Sequence, residues 1–393
     1  MAVQSEAKAL REVIAGSGLT TAQIVARVGC TRKSLSNWRS GRRPSDYYIG
    51  RLSEALGTDL WPMFDKPTTR HRAQASAAGH RYELLTVGGI TVNWCVIALD
   101  HFAAQQIRCS YNRTPASLPD DIEQLRAAFV EDWEQRNQRG ETHLPFNSQM
   151  YKLLEFDAGF RQMVDGEEVP ILRLRFGPMD YFTQIVSDLN VANPVRNHYA
   201  DAASLIEKPV PEFASILGVN LSLVTADGYL IVSERSKHAY LAGGQLHTSV
   251  AENILRPIDA GIEGAPDLFR AAVRGAHEEL GIQLDTQSLE FGAFGVEPTL
   301  CQYSLFAAHH ISQTRDDILK LRGVGAPKDK WESTQLLFVP FAPEDVATFV
   351  AQTKEQWLPI GLAAIILGLW QIGYSLADIE AAFSAVNSEN RST

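Results

Sequence analysis

The sequence predicts a multi-domain protein in which an all-α head precedes an α/β body. Its 393 residues correspond to two or three domains of about 150 residues each. Hydrophobic residues make up 45% and charged residues 21%, values that exclude a disordered, collagen-like or small disulfide-scaffold chain. Residues 1–75 contain twelve Lys and Arg against six Asp and Glu, so they carry +6 and the remainder −16 of the net charge of −10. This asymmetry predicts that only the head meets a polyanion.

Cysteine spacing and hydropathy exclude further classes of protein. The four cysteines lie far apart without a CxxC pair, so neither a zinc finger nor a disulfide framework is indicated. The first residues, MAVQSEAKALREVI, lack the apolar core of a signal peptide. The apolar run over 357–370 contains Pro359 and is shorter than the roughly 20 residues a bilayer requires, which favours a buried helix. We therefore expect a cytoplasmic protein that does not contact a membrane.

The sequence of the basic head predicts five short helices over residues 5–65. Thr20 or Thr21 is expected to cap the second helix, over 22–28, and the third runs over 32–40 after a glycine-containing turn. Two short helices joined in this way, the second beginning with polar residues, have the geometry of a helix-turn-helix.

The segment TAQIVARVGCTRKSLSNWRSGRRPS resembles the Cro/repressor-type (XRE) helix-turn-helix DNA-binding domain nearly residue for residue, with Val25 in place of the usual Ala. The resemblance implies that Arg32 and Lys33 read guanine and that Asn37 reads adenine. It also assigns phosphate contacts to four further residues: Thr21, Thr31, Arg42 and Arg43. Two alternatives remain open, namely that these residues solvate a small helical domain or that the fold binds protein.

Residues 66–80 are basic and small without periodicity, which predicts a linker. Beyond them the pattern becomes mixed. Residues 120–139 predict an amphipathic helix, and 151–156 and 169–176 predict strands. The second strand is expected to break at Gly177-Pro178.

Acidic residues cluster at the end of a helix that is expected to start at Asp267 and to end in RGAHEELGI. Glu278 and Glu279 follow Arg274 by one turn, and Gly281 stops the helix. Arg274 can pair with Glu278 at i,i+4. Neighbouring carboxylates suit Mg²⁺, whose coordination is completed by waters and substrate phosphates. A solvated acidic helix end is the alternative.

This helix, the hairpin around Asp227-Gly228 and the Gly243-Gly244 turn together resemble the Nudix box over residues 215–345. The segments FNSQMYKL, VPILRLRFGPMDYFT and KWESTQLLFVPF are more loosely similar to Nudix-like proteins that split UDP-sugars. The resemblance implies an α/β/α sandwich with an N-terminal extension, Mg²⁺ bound by Glu278 and Glu279, and Glu279 as a catalytic group. It assigns ligand binding to Arg235, Gly243, Gly244 and Gln245, and structural roles to Arg274 and Gly281.

The box departs from the family pattern at two carboxylates. Gly275 stands where the family has a metal-binding Glu, and Pro266 replaces an earlier Glu for which Glu252 or Asp267 could only partly substitute. Glu297 could supply a replacement base if the protein is active. Losing a ligand of a catalytic Mg²⁺ weakens nucleophile activation. We therefore expect ligand binding with slow or vestigial turnover, while intact hydrolysis and the absence of any nucleotide role remain alternatives.

The predicted organisation has five parts: a helix-turn-helix domain over 1–65, a linker over 66–80, an α+β extension over 81–210, the Nudix-like domain over 211–345 and C-terminal helices over 346–393. The combination predicts a homodimeric, ligand-responsive transcriptional regulator. The head would bind a double-stranded DNA operator, and the body would sense ADP-ribose, a nucleotide-sugar or a related nucleoside diphosphate. The alternative is a Mg²⁺-dependent Nudix hydrolase with a DNA-binding head. A defence or stress effector that represses its own operon is a third possibility.

Overall fold

The computed structural model describes residues 10–28, 32–39, 52–53, 55–58, 60, 72–75, 81–142, 144–164, 167–199, 204–237, 243–325, 327, 329 and 332–389. The protein is multi-domain, with mixed helices and sheets. Its contacts divide the chain into two compact units, one comprising residues 1–69 and 159–170 and the other comprising 70–158 and 171–393.

The elements follow one another along the chain with short connections. The strands are β1 (Arg72–Ala75), β2 (Arg81–Leu84), β3 (Thr86–Val87), β4 (Ile90–Thr91), β5 (Cys95–Phe102), β6 (Ile107–Tyr111), β7 (Gln149–Asp157), β8 (Arg161–Val164), β9 (Glu167–Pro170), β10 (Leu172–Asp180), β11 (Leu217–Val224), β12 (Tyr229–Arg235), β13 (Leu246–His247), β14 (Val250–Asn253), β15 (Phe291–Glu297), β16 (Gln302–His310) and β17 (Ser333–Pro340). The main helices are α1 (Thr21–Val28), α2 (Arg32–Arg39), α3 (Asp120–Gln138), α4 (Tyr181–Gln184), α5 (Pro194–Tyr199), α6 (Leu268–Gly275), α7 (Arg315–Gly323), α8 (Pro343–Gln352), α9 (Pro359–Ile372) and α10 (Leu376–Glu389).

The first unit contains α1 and α2 at the positions that the sequence predicts. Thr20 caps α1, because its Oγ1 accepts a hydrogen bond of 3.3 Å from the N–H of Gln23. Apolar side chains of both helices enter a small core with parts of the flanking chain, formed by Leu10, Ile14, Ile24, Val28, Leu35, Trp38, Leu52 and Leu60. Of the other predicted helices, the structure describes 10–16 as helical and the fourth only at 52–53 and 55–56.

The second unit is built on a mixed sheet whose described strands are ordered β13-β12-β11-β16-β15-β5. β14 also pairs with β11, and β17 pairs with β12. β11 and β16 are parallel in the centre of the sheet, with Leu217 opposite Tyr303. Because β11 pairs with the hairpin partner β12 only at Val224–Leu230, its other end is left to pair with β14. The same edge of β11 is therefore shared by two strands.

Each face of this sheet has its own apolar core. On one face, Leu268 and Ala272 of α6 pack with Val219 and Leu221 of β11. On the other, the buried helix α9 packs with Phe306 of β16. Helices therefore cover both faces of the sheet, which agrees with the α/β body that the sequence predicts.

β10 is unbroken at Gly177-Pro178, where the sequence predicts a break. It continues through Gly177-Pro178 to Asp180, paired antiparallel with β7. On its other edge β6 pairs only with 172–176, so no ladder hydrogen bond on that side requires the N–H that Pro178 lacks. A second difference lies in the predicted linker over 66–80, where β1 pairs with β2.

The apolar run over 357–370 forms the buried helix that the sequence predicts, and a second helix follows it. Gly373 separates α9 from α10, and the Oγ of Ser375 accepts a hydrogen bond of 3.1 Å from the N–H of Asp378 at the start of α10. α9 is buried along most of its length. Within the described part of the chain, no helix is long and apolar enough to span a bilayer.

Candidate functional site

The acidic helix end is formed as the sequence predicts, with one addition. Asp267 caps α6 by accepting a hydrogen bond of 3.0 Å from the N–H of Arg270, and Gly281 ends the helix with a φ of 76°. The addition is that residues 276–280 form a single π-helical turn. Such turns recur at functional sites because they change the direction of the side chains they carry. Here the turn carries Glu278 and Glu279.

Arg274 is the centre of the site. Its Nη1 lies 2.9 Å from the Oε2 of Glu278, which confirms the predicted i,i+4 pair, and also 2.9 Å from the Oε2 of Glu252 on β14. Its Nε and Nη2 lie 3.0 and 2.9 Å from the two carboxylate oxygens of the buried Asp259. Burial alone would lower the pKa of Arg274, but these carboxylates raise it, so the guanidinium stays charged. It fixes three carboxylates in place.

Glu252 fills the space beside the glycine that departs from the box pattern. A Cβ placed on Gly275 would lie 2.2 Å from Cγ of Glu252 and 2.8 Å from Cγ1 of Val250. A side chain at 275 and the side chain of Glu252 therefore compete for the same volume. Glu252 therefore brings a carboxylate from β14 next to this position of α6.

Glu279 is held against β14, where its Oε1 accepts a hydrogen bond of 3.0 Å from the N–H of Ala251. Burial, with repulsion from Glu252 and Glu332, raises its pKa well above the usual range. Burial likewise raises the pKa of Glu252 to about 8, against the opposing effect of Arg274. Burial also raises the pKa of Glu332. These carboxyl groups repel one another, and such clusters of perturbed pKa values are typical of functional sites.

A cavity of about 800 Å³ opens beside Glu252 and Glu332, while Glu278 and Glu279 are not among the described residues that line it. Among the described residues that line it, four are charged: Arg235, Glu252, Asp329 and Glu332. Asp329 is tied to the acidic helix, since its N–H donates a hydrogen bond of 2.9 Å to the carbonyl of Glu278. Sequence patterns do not predict Asp259, Asp329 and Glu332 as site residues, because their distances from the box along the chain follow no motif.

His247 also lines the cavity. Burial, together with the nearby charge of Arg235, lowers its pKa to about 3. Its Nδ1 accepts a hydrogen bond of 2.8 Å from the N–H of Thr248, so the neutral ring carries its proton on Nε2. His247 therefore offers a neutral donor.

The Gly243-Gly244-Gln245 turn lies next to Arg235. The N–H of Arg235 donates a hydrogen bond of 2.8 Å to the carbonyl of Gln245, and the N–H of Gly244 donates one of 3.0 Å to the carbonyl of Arg235. Gly244 has a φ of 80°, which favours glycine. The predicted ligand residues are thus brought together, with Arg235 in the cavity wall and the glycines forming the turn that holds it.

Glu297 lies at the end of β15 and is 2% exposed. Its carboxylate accepts hydrogen bonds from the side chain of Asn93 and from the N–H of Leu300. Burial raises its pKa to about 7. It is not among the described residues that line the cavity, so its catalytic role stays a prediction.

The predicted DNA-reading residues are only partly described. Arg32 and Lys33 are exposed in the first turn of α2, and Thr21 is exposed at the start of α1. Asn37 lies on α2, but its side chain is outside the described part of the structure. Three further predicted contacts lie outside the described residues: Thr31, Arg42 and Arg43.

The carboxylates around Arg274 can be compared with the way in which proteins bind Mg²⁺. Within the described ranges, no group of three or more His, Cys, Asp or Glu is already placed to hold a metal ion. However, Mg²⁺ in nucleotide enzymes is usually held by one or two carboxylates, with substrate phosphates and waters supplying the other ligands. Glu252 and Glu278 both contact one guanidinium nitrogen at 2.9 Å, so their carboxylates converge from two elements. Two carboxylates are the number that this mode of binding uses, and in the structure both are paired with Arg274.

Comparison with protein-family profiles finds no match, and no curated protein matches the chain. Two solved structures resemble parts of it. The Deinococcus radiodurans protein DR0079 is 19% identical over 35% of this chain and 73% of its own, with a TM-score of 0.26. A MutT protein from Methanosarcina mazei Go1 is 10% identical over 45% of this chain and 95% of its own, with a TM-score of 0.23. At such low scores, functional inference depends on the residues of this chain.

Proposed function

We propose that the body is a Nudix-type hydrolase of a nucleoside diphosphate derivative. The observation that carries this proposal is the position of Glu252, which occupies the volume that a side chain at 275 would need and shares Arg274 with Glu278. The sequence predicts a vestigial site mainly because Gly275 stands where the box has a carboxylate. Glu252 removes the main reason to expect that loss of activity.

Each group in the site has a separate task under this proposal. Arg235 contributes the positive charge that a diphosphate needs, since it is the one basic side chain among the described residues lining the cavity. Arg274 keeps Glu252 and Glu278 oriented. Mg²⁺ held by Glu252 and Glu278, with substrate phosphates and waters as its other ligands, would neutralise phosphate charge and lower the pKa of a bound water. Glu279, in its ionised form, is the proposed general base.

Turnover of a panel of ADP-ribose, UDP-sugars, dinucleotides and nucleoside triphosphates with Mg²⁺ tests the proposal. We expect monophosphate products from one member of the panel. Glu252→Gln and Glu279→Gln should each lower the rate by about 100-fold or more, a few kcal/mol of barrier. Glu355→Gln, a change at an exposed carboxylate, is the matched control. Equal rates for Glu252→Gln and wild type would overturn the assignment of Glu252.

A second candidate function is ligand-responsive binding of operator DNA by a dimer. It is favoured by α1 and α2, which are separated by three residues and present Arg32 and Lys33 at an exposed helix start. Here the body would retain its nucleotide and change the affinity of the head for DNA. Intact retention of one compound, with a ligand-dependent change in DNA affinity, would favour this function over hydrolysis.

A further inference from the structure

The cavity has a second, uncharged region whose chemistry differs from that of the carboxylate site. Four amide side chains line the cavity. Asn253 follows Glu252 on β14, and the other three come from three separate elements: Gln184 of α4, Asn220 of β11 and Gln302 of β16. Gln184 is 2% exposed and Asn220 is 4% exposed. Each amide carries both a donor and an acceptor, so together they match a neutral group with both kinds of polar atom.

Gln184 provides an independent sign that this region is built for a ligand. Its Oε1 is buried and has no hydrogen-bond partner in the described part of the structure. A buried acceptor without a partner costs about 1–3 kcal/mol and is rare in native proteins. A donor on a ligand would remove this penalty once the Gln184 side chain turns its Oε1 toward the cavity that the residue lines.

Gly218 of β11 lies close to two of the amide side chains. A Cβ at this position would lie 3.5 Å from Nε2 of Gln302 and 3.8 Å from Nδ2 of Asn220, which are ordinary contacts. Glycine inside a central strand weakens the strand and often marks a site that a ligand approaches closely. Gly218 lines the cavity, and the same Cβ would lie 3.5 Å from the carbonyl oxygen of Glu252, so this region adjoins the carboxylate site.

Phe146 and Tyr181 are aromatic residues that line the same cavity, and Phe146 is 80% exposed. The loop that carries it is anchored on both sides. Trp133 Nε1 donates a hydrogen bond of 2.8 Å to the carbonyl of Pro145, and the N–H of Phe182 donates one of 3.1 Å to Oδ1 of Asn147. A ring held in the open on a fixed loop is a surface on which a flat heterocycle can stack.

We propose that Gly218, Asn220, Gln302 and Gln184, with Phe146, form a subsite for the nucleobase of the ligand. The inference rests on the proposed function, since it assigns the charged end of the cavity to the diphosphate. It adds that the extension, through Phe146 and Gln184, selects nucleoside diphosphates over base-free diphosphates.

Calorimetric titration of the full chain in Mg²⁺ tests the subsite with three non-hydrolysable or neutral probes: α,β-methylene-ADP, methylenediphosphonate and adenosine, with the uridine compounds in parallel. We expect at least one methylene nucleotide to bind about tenfold or more tightly than methylenediphosphonate. Phe146→Ala and Gly218→Val should each remove most of this difference and leave methylenediphosphonate binding unchanged. Ile262→Ala, which truncates an 88% exposed apolar side chain outside the cavity lining, is the control.

The outcomes separate this inference from the proposed function. Diphosphonate binding that depends on Glu252, with no gain from the base, would overturn the subsite alone. Nucleoside binding that depends on Phe146, without hydrolysis of any nucleotide, would support the subsite and overturn the hydrolase. Failure of every probe to bind would count against both. A melting temperature for Gly218→Val close to wild type shows that its effect is local, and Phe146→Ala tests the same point at an exposed side chain.

Discussion

Gly275 and Glu252 illustrate how one residue can take over the place of another that is distant in sequence. The box pattern requires a carboxylate on the helix, and the chain has a glycine there. Because β14 passes directly against α6, Glu252 enters the volume that the glycine leaves empty. The two positions therefore have to be considered as a pair.

Gly275→Ala should lower the free energy of unfolding by about 1–3 kcal/mol, the usual cost of forcing a methyl group into a packed region. The new Cβ would lie 2.2 Å from Cγ of Glu252, an atom close to the backbone that cannot move far. Chemical denaturation measures the effect. Adding Glu252→Ala should recover part of the loss, and a double variant no more stable than Gly275→Ala would contradict the shared-volume interpretation.

At the scale of elements, close packing of α9 on the sheet and a buried ionic cluster in the extension are the features that sequence patterns do not contain. α9 approaches β13 through Gly361, where a Cβ would lie 2.8 Å from Cα of His247. In the extension, Asp188 is fully buried near Lys152 and Arg196. Both features hold elements next to the cavity.

Gly361→Ala should destabilise the protein by about 1–3 kcal/mol, because the methyl group meets backbone that cannot move aside. Gly323→Ala provides a matched helical control, since a Cβ there meets nothing within 4 Å. That change should be neutral or stabilising by up to about 1 kcal/mol. Thermal or urea unfolding distinguishes them, and equal effects would contradict the packing of α9.

Asp188 should make stability depend on pH. Burial raises the pKa of its carboxyl from 3.8 to about 7, although Ser187 and Ala214 donate hydrogen bonds to it. The folded state therefore binds a proton that the unfolded state has released, so its contribution to stability is present below about pH 4 and is lost as the pH rises towards 7.

Asp188→Asn should flatten this dependence by up to about 1.4 kcal/mol per pH unit between pH 4 and 7. Urea unfolding at several pH values measures the slope, with the exposed Asp345→Asn as control. A slope unchanged by Asp188→Asn would show that the carboxyl does not titrate in this range.

At the scale of the whole molecule, the sequence divides into a basic head and an acidic body. The head is the part with a net positive charge, +6 over residues 1–75. Helix-turn-helix proteins commonly bind as symmetric dimers on two half-sites. Binding of operator DNA by a homodimer therefore stays a prediction.

Arg32→Ala with Lys33→Ala should weaken binding to duplexes selected from a randomised library by about 10- to 100-fold, as expected for the loss of one or two base contacts. Fluorescence anisotropy measures the affinity, and mass photometry measures the oligomeric state. Lys320→Ala, at a 77% exposed side chain of the body, is the control. If the wild-type chain selects no sequence, the regulator hypothesis is wrong.

The sequence by itself determined the elements whose signals are local. Caps, stops and apolar periodicity located α1, α2, α3, α6 and the helix that ends at Gly373, because these features depend on residues a few positions apart. The same locality placed Arg274 next to Glu278 and identified the acidic helix end.

Only the tertiary structure decided which distant residues complete the site. Glu252, Asp259 and Glu332 meet α6 because strand pairing and loop closure bring them there, and no spacing along the chain encodes that contact. Pro178 within β10 has the same origin, since the unpaired edge that accommodates it is set by where β6 ends. Sequence patterns specify which groups are available. The order of strands in the sheet specifies which of them share a cavity.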